Sequence, residues 1–590
     1  MMTRTGLSDF TTNGKRLAIL SLLALCIGIL SGFVAFILLR LIGLITHLAY
    51  DGRVGWSLIA PNPHHWGILS ILVPVLGGLV VGLLAKYGSD KIRGHGIPEA
   101  IQAILENNSV MDARVAVFKP LASAITIGTG GPFGAEGPII MTGGAVGSLV
   151  SQFFRLSSLE RRTLLVAGAA GGMSATFGSP IAAVLLAVEL LLFEWRPRSL
   201  IPVTIASAMA EAIRAWLIGT APIFGTPLSG TLPLTVLIWA LVIGVAAGLV
   251  SGVLTKLVYF LEDAYHKLPM HWVWWPALGG FAVGLGGLID PRALGVGYPT
   301  IRTLDAGHLL WEAALILFVV KAVIWTVSLS SGTSGGVLAP LLLLGGALGM
   351  ILSPLFPGHL AGVAATMGMA AMLGGTMRVP FTATIFALET THNWALLLPV
   401  FVAAVAGMAV TVLWIPRSIL TEKVARRGVH VAREYSVNPL ESQSVSQVMV
   451  PRDQVFVLNG NLSIAEAAHR IAGQSGSNRT SYPVVDRDPD RAIGTIESTT
   501  LFSQAERAPD TSVKDLAQPL LTIGDWERVR TAVEQMARHN QPELVVVDSQ
   551  GTWVGFMSQS DTFTTWKKAI AAEDDRQRIF DWPTFGKNNS

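Results

Sequence analysis

The chain has 590 residues, 51% of them hydrophobic and only 14% charged, with a mean hydropathy of +0.54. That composition excludes an ordinary soluble protein. The net charge of +3 sums two unlike regions: residues 1 to 416 carry 22 Lys+Arg and 17 Asp+Glu, whereas residues 417 to 590 carry 20 and 22. The first region reads as bilayer-embedded and the second as a soluble domain. No basic stripe with interleaved aromatics marks a nucleic-acid partner. The single cysteine, Cys26, lies in an apolar run, which rules out a disulfide framework and suggests a small packing residue.

A polar N-terminus, residues 1–16, is expected on the cytoplasmic side. Its Lys15 and Arg16 precede an apolar stretch from Leu17 to Leu39, too long for a signal-peptide core and read as the first membrane helix. Long apolar runs follow one another at about 17–48, 66–85, 163–193, 199–218, 232–260, 272–289, 309–329 and 393–415, each near the length of about 20 residues that a span requires. Between them lie pieces broken by Gly and Pro, at 94–105, 120–150, 333–356 and 360–390. Broken helices at membrane depth are tolerated only inside protein or beside a cavity, so they point to a transport pathway. The whole of 17–416 is expected to be one all-α polytopic domain. Arg417, Lys423, Arg426, Arg427 and Arg433 make 417–436 a basic linker, which places that end in the cytoplasm by the positive-inside rule.

An internal repeat runs through the membrane region. Gly134-Ala135-Glu136-Gly137-Pro138 and Gly336-Val337-Leu338-Ala339-Pro340 share a Gly-x-x-x-Pro frame, and prolines follow at Pro180 and Pro380. Each of these opens a helix with a glutamate nine residues on, Glu189 and Glu389. Paired broken helices in two halves are the layout of transporters that bind their ion near the midplane. Gly94-His95-Gly96-Ile97-Pro98 is a third glycine-rich helix start. Proline suits the first turn of a helix, glycine lets an ion approach the backbone, and the free N–H groups favour an anion without a fixed cation. The expected anion-binding set is therefore Gly94, His95, Gly96, Ile97, Pro98, Gly134, Ala135, Gly137, Gly336, Val337, Leu338 and Ala339. A carboxylate among such donors is costly and by default functional, which makes Glu136 the expected gate.

These motifs, taken in order, resemble those of the CLC chloride channel and transporter family. The first is similar to the family's Gly-Ser-Gly-Ile-Pro, the second to Gly-Arg/Lys-Glu-Gly-Pro and the third to Gly-x-Phe-x-Pro. Lys119 precedes Glu136 by 17 residues as the family's lysine precedes its gate glutamate, and Leu294-Gly295-Val296-Gly297-Tyr298 also fits. The resemblance covers about residues 17–430 and implies a homodimer with one pathway for chloride or another small anion per subunit. It also implies a multi-pass protein of the plasma or inner membrane. Glu189, Glu389 and Lys119 are expected to be structural.

The chain departs from the family pattern at several places. Many proton-coupled members carry a second glutamate after the one matching Glu189; here it is Leu190, which cannot relay a proton. The usual serine, phenylalanine and late pore tyrosine are His95, Leu338 and Leu420, the last counted with the anion site. Ala135 stands for a basic residue. These departures favour passive conduction, so the expectation is an anion channel of the voltage-gated chloride type with Glu136 as gate; the alternative is a chloride/proton antiporter with an atypical internal proton path.

The tail contains two βαββα-like units, 437–504 and 505–571, before a terminal stretch 572–590, and resembles a pair of CBS modules. Gly555-Phe556-Met557-Ser558-Gln559-Ser560-Asp561 is similar to a ribose-binding ending, so Ser558 and Asp561 are candidate ligands of an adenine nucleotide. No other cofactor and no metal is expected. Neither a phosphate loop nor His-Glu-x-x-His occurs, which removes the ATP-driven pump and the metalloprotease, and an enzyme is not expected.

Overall fold

The computed structural model describes residues 14–563 and residue 567, apart from 64–65, 226–231, 356–359, 429–442, 474–479 and 487–491. The N-terminal residues 1–13, much of the basic linker with Arg433, and the terminal stretch 572–590 lie outside the described residues. The chain divides into two compact units near residue 433.

The membrane unit is helical throughout and built twice over. Its first half contains α2 (Leu72–Tyr87), α3 (Ile97–Glu106), α4 (Ala113–Gly128), α5 (Glu136–Gln152), α6 (Ser158–Phe177), α7 (Pro180–Leu186) and α8 (Pro197–Leu217), after the long α1 (Gly14–Thr46). The second half repeats the series about 200 residues later: α10 (Trp275–Ile289), α11 (Tyr298–Asp305), α12 (Trp311–Ser330), α13 (Leu338–Leu352), α14 (Ala361–Met377), α15 (Pro380–Thr391) and α16 (Leu397–Trp414), after α9 (Val236–His266). A short α17 (Ile419–Arg426) closes the unit.

Eight helices among the described residues are long and apolar enough to cross a bilayer. They differ from the expected runs at two places, the first being Leu338–Leu355, which was expected among the broken pieces and is long and apolar enough to span. The run 163–193 is not one span, because Gly178 takes a left-handed conformation (φ 62°) and Pro180 then starts a new helix, whose last turn widens to a π-helix over Ala187–Leu192. Large apolar side chains such as Leu22, Leu76, Ile238 and Leu413 point outward; such a surface is stable against acyl chains and not against water. Cys26 is exposed on α1, so it is not the packing residue expected: the buried face of that helix is taken by Ala24, Ile27, Gly28 and Ser31.

Small residues let the inner helices touch. A Cβ on Gly143 would lie 2.2 Å from the Gly168 carbonyl oxygen, and one on Gly345 would lie 2.3 Å from that of Gly368. Thus α5 meets α6 and α13 meets α14 backbone to backbone, through the paired Gly143/Gly147 and Gly345/Gly349.

The C-terminal unit holds two sheets. In the first, β2 (Leu458–Asn459) runs parallel to β3 (Ser481–Val485), which pairs antiparallel with β4 (Ala492–Glu497). The second repeats this with β5 (Thr522–Gly524), β6 (Glu543–Val547) and β7 (Trp553–Ser558). Helices Ile464–Ala472 and Val529–His539 connect the parallel strands and bury one apolar face each. The openings of the two units are exchanged. β1 (Val450–Pro451) pairs with β7, while Val513 and Lys514 donate to the carbonyls of Leu462 and Gly460.

Candidate functional site

At the seam between the halves the two Gly-x-x-x-Pro segments pair as an antiparallel bridge. Gly336 N–H donates to Gly134 O at 2.8 Å, and Gly134 N–H to Gly336 O at 3.2 Å. Two residues beyond each glycine a helix begins, so the unpaired amides of α5 and α13 converge on one spot, which favours negative charge. The Glu136 carboxylate fills it. Fully buried, it accepts from Ala339 N–H through Oε1 at 2.5 Å, and Oε2 has no partner among the described residues. The glycines make room for it: a Cβ on Gly134 would lie 1.9 Å from Oε2, and one on Gly336 2.3 Å.

The loop Gly94–Gly96 packs beside this point. Both glycines have positive φ, 81° and 90°, and a Cβ on Gly137 would lie 1.9 Å from the His95 carbonyl oxygen. His95 is buried, and its Nδ1 has no partner among the described residues. Ile97 and Pro98 begin α3 with Glu99, which accepts from Gly96 N–H at 2.9 Å and from Arg427 at 2.9 Å. Ala135, Val337 and Leu338 are buried around the bridge, and Leu420 is buried on α17.

The remaining candidates tie the halves together. Glu189 accepts from Phe381 N–H (3.4 Å) and Thr382 N–H (2.9 Å), the first amides of α15. Glu389 accepts from Ile181 N–H (3.0 Å) and Ala182 N–H (2.9 Å), the first amides of α7. Each glutamate therefore caps the other's helix, while Leu190 is turned into the core. Lys119 donates to Ile92 O (2.8 Å) and Gly94 O (2.7 Å). A second buried lysine, Lys321, does the same for Ala293 O (2.8 Å) and Gly295 O (3.1 Å). Sequence reading missed it, although it precedes Leu338 by the same 17 residues that separate Lys119 from Glu136.

Two cavities flank the seam. One, of about 530 Å³, is bounded among others by Arg93, Glu99, Met141, Glu262, Lys423 and Arg427; the other, of about 140 Å³, by Thr46, Pro61, Gly297, Tyr298 and Arg302. They lie at opposite ends of α1. Arg16 at its start pairs with Glu160, Ser158 of the same turn bonds Asn108, and Asn107 lines the larger cavity. Thr46 at its other end, 33 residues or about 50 Å along, lines the smaller one.

The profile of the voltage gated chloride channel family matches residues 77–412, over half the chain and spanning both helix starts of the seam. The chain belongs to the CLC family. The H(+)/Cl(−) exchange transporter ClcA of Klebsiella pneumoniae is 32% identical over 401 residues, 64% of this chain and 84% of the relative. That of Salmonella arizonae is 33% identical over 411 residues, with 66% and 85% covered. Among solved structures, a slow cyanobacterial Cl−/H+ antiporter is similar with a TM-score of 0.60 at 22% identity, covering 71% of this chain and 99% of that one. A eukaryotic CLC transporter gives a TM-score of 0.58 at 17% identity and covers 92% of this chain and 98% of its own, so the shared fold extends beyond the membrane unit into the CBS-type tail. This CLC protein is an anion transporter that crosses the membrane several times, with its tail cytoplasmic.

In the tail, Ser558 and Asp561 are adjacent and bind each other. Asp561 Oδ2 accepts from Ser558 N–H (2.8 Å) and from its hydroxyl (2.7 Å).

Proposed function

We propose that this CLC protein exchanges chloride for protons through a Glu136 gate. The position of the Glu136 carboxylate carries the reading: it occupies the Ala339 amide at the start of α13 as an anion would, so chloride and carboxylate compete for one place. Protonation removes the charge that holds it there and opens the pathway, which links proton uptake to anion release. Sequence reading favoured passive conduction because Leu190 cannot relay a proton. Relatives named as exchangers, matched over most of their length, support the alternative instead. The internal proton route is then built without a glutamate at position 190.

His95 donates an N–H to the anion between the larger cavity and Gly137, and Gly94 to Pro98, Gly134 to Gly137, Gly336 to Ala339 and Leu420 form the pathway wall. The protein works as a homodimer of independent pathways, with 17–416 as transport domain and 437–571 as regulatory CBS pair. Ser558 and Asp561 bind an adenine nucleotide by exchanging their mutual hydrogen bonds for the ribose hydroxyls.

Proteoliposomes holding a chloride gradient, with chloride and proton movement recorded together, test the central reading. Uphill proton movement is the expected result. Chloride flux with no proton movement at any pH returns the protein to the channel class.

A further inference from the structure

The second repeat contains a polar group that the first lacks. Gly94-His95-Gly96-Ile97-Pro98 corresponds to Gly295-Val296-Gly297-Tyr298-Pro299, so a phenol stands where the first copy has isoleucine. Tyr298 is 7% exposed, and its hydroxyl has no hydrogen-bond partner among the described residues. Its ring is held edge-on by Phe177 (6.2 Å between centroids) and Phe224 (5.9 Å). Phenylalanine would fill this aromatic cluster equally well, whereas a buried unpaired hydroxyl costs about 1–3 kcal/mol. The hydroxyl therefore calls for an explanation beyond packing.

Its neighbours supply one. The charged groups acting on Tyr298 are the Glu136 carboxylate on α5 and, after it, Arg214 on α8; Lys321 on α12 acts on Glu136 in turn, and Arg302 on α11 bounds the same small cavity as Tyr298. Glu136 Oε2 has no partner among the described residues either. Two oxygens without a partner among the described residues, one on the gate and one on a residue lining the smaller cavity, thus belong to one electrostatic neighbourhood.

We propose that the Tyr298 hydroxyl positions the Glu136 carboxyl once it leaves the Ala339 amide, and passes protons between Glu136 and water in the smaller cavity. In the inward step a hydronium ion in the small cavity gives a proton to the phenol oxygen while the phenol's own proton moves to Oε2. One O–H bond breaks on the phenol and one forms on the carboxylate; the phenol is restored and a water molecule remains. The outward step is the reverse. The proton-transfer half rests on the exchange reading above; the positioning half does not.

The test is Tyr298→Phe, which keeps the ring, made alone and together with Glu136→Gln in the full-length protein in liposomes. Chloride and proton fluxes are recorded across a pH series. Alone, the substitution is expected to slow coupled turnover about tenfold, the worth of one hydrogen bond to a charged group, and to displace the pH profile of chloride flux. With Glu136→Gln it is expected to change nothing further. Unaltered rates and pH profile in the single variant overturn the proposal, and so does an equal loss in both backgrounds, which would mark a packing effect. If the wild type moves no protons, exchange and proton relay both fall. A pH profile still displaced by Tyr298→Phe, and only when Glu136 is present, then upholds the positioning role.

Discussion

The two halves of the membrane unit share a scaffold and differ in its cargo. Each has a buried lysine holding two carbonyls of a glycine loop, a Gly-x-x-x-Pro helix start and a glutamate capping the opposite half. At the seam, however, one copy presents Glu136 and the other Leu338, and in the loops one copy has His95 and Ile97 where the other has Val296 and Tyr298. Duplication builds a symmetric basket of helix dipoles, attractive to any anion. Selectivity and gating come from where the symmetry is broken.

That division can be broken or sharpened by substitution. The largest effect is expected at the asymmetric carboxylate. Glu136→Gln should bring proton movement to background while chloride still flows, and should flatten a chloride flux that in the wild type rises as pH falls and the carboxylate is protonated. Retained pH dependence in flux assays would falsify the gate.

Next come the symmetric caps. Glu189→Ala and Glu389→Ala each leave two amides of a buried helix start without a partner, which costs about 2–5 kcal/mol; thermal unfolding in detergent should show both losses at similar size. A large loss from one and none from the other would mean the halves do not share the load.

Lys119→Met and Lys321→Met free two carbonyls apiece and should destabilise the protein by about 1–3 kcal/mol each, again as a matched pair in the same assay. The smallest effect is expected at His95→Ser, a change of about threefold in the chloride-to-nitrate flux ratio, from the loss of a fraction of one hydrogen bond. An identical ratio would remove His95 from the pathway wall.

Much of this was legible in the sequence because broken helices leave punctuation: Gly and Pro at 134, 138, 336 and 340 mark the two helix starts and their repeat. The two βαββα-like units of the tail were equally plain, and each has its central strand, Ser481–Val485 and Glu543–Val547, in an apolar run. Three features were not. Gly178 lies in a run so apolar that hydropathy alone carried the span straight through it. Lys321 was hidden because a lysine in the middle of an apolar helix draws notice only when the repeat is traced outward from its glycine motif. The exchange of openings in the tail depends on pairings such as Val450 with Phe556, over 100 residues apart, and two-residue strands have too little pattern to announce a partner.

The reciprocal caps also set a timetable for biogenesis. The first amides of α7 wait for Glu389, 208 residues downstream of Ile181, which at ordinary elongation rates is roughly 10–40 s of synthesis. During that interval the nascent first half carries a helix start inside the bilayer with its donors unanswered. A chain truncated between residues 217 and 380 would keep that defect permanently, and membrane quality control would have a chemical mark by which to tell half a transporter from a whole one.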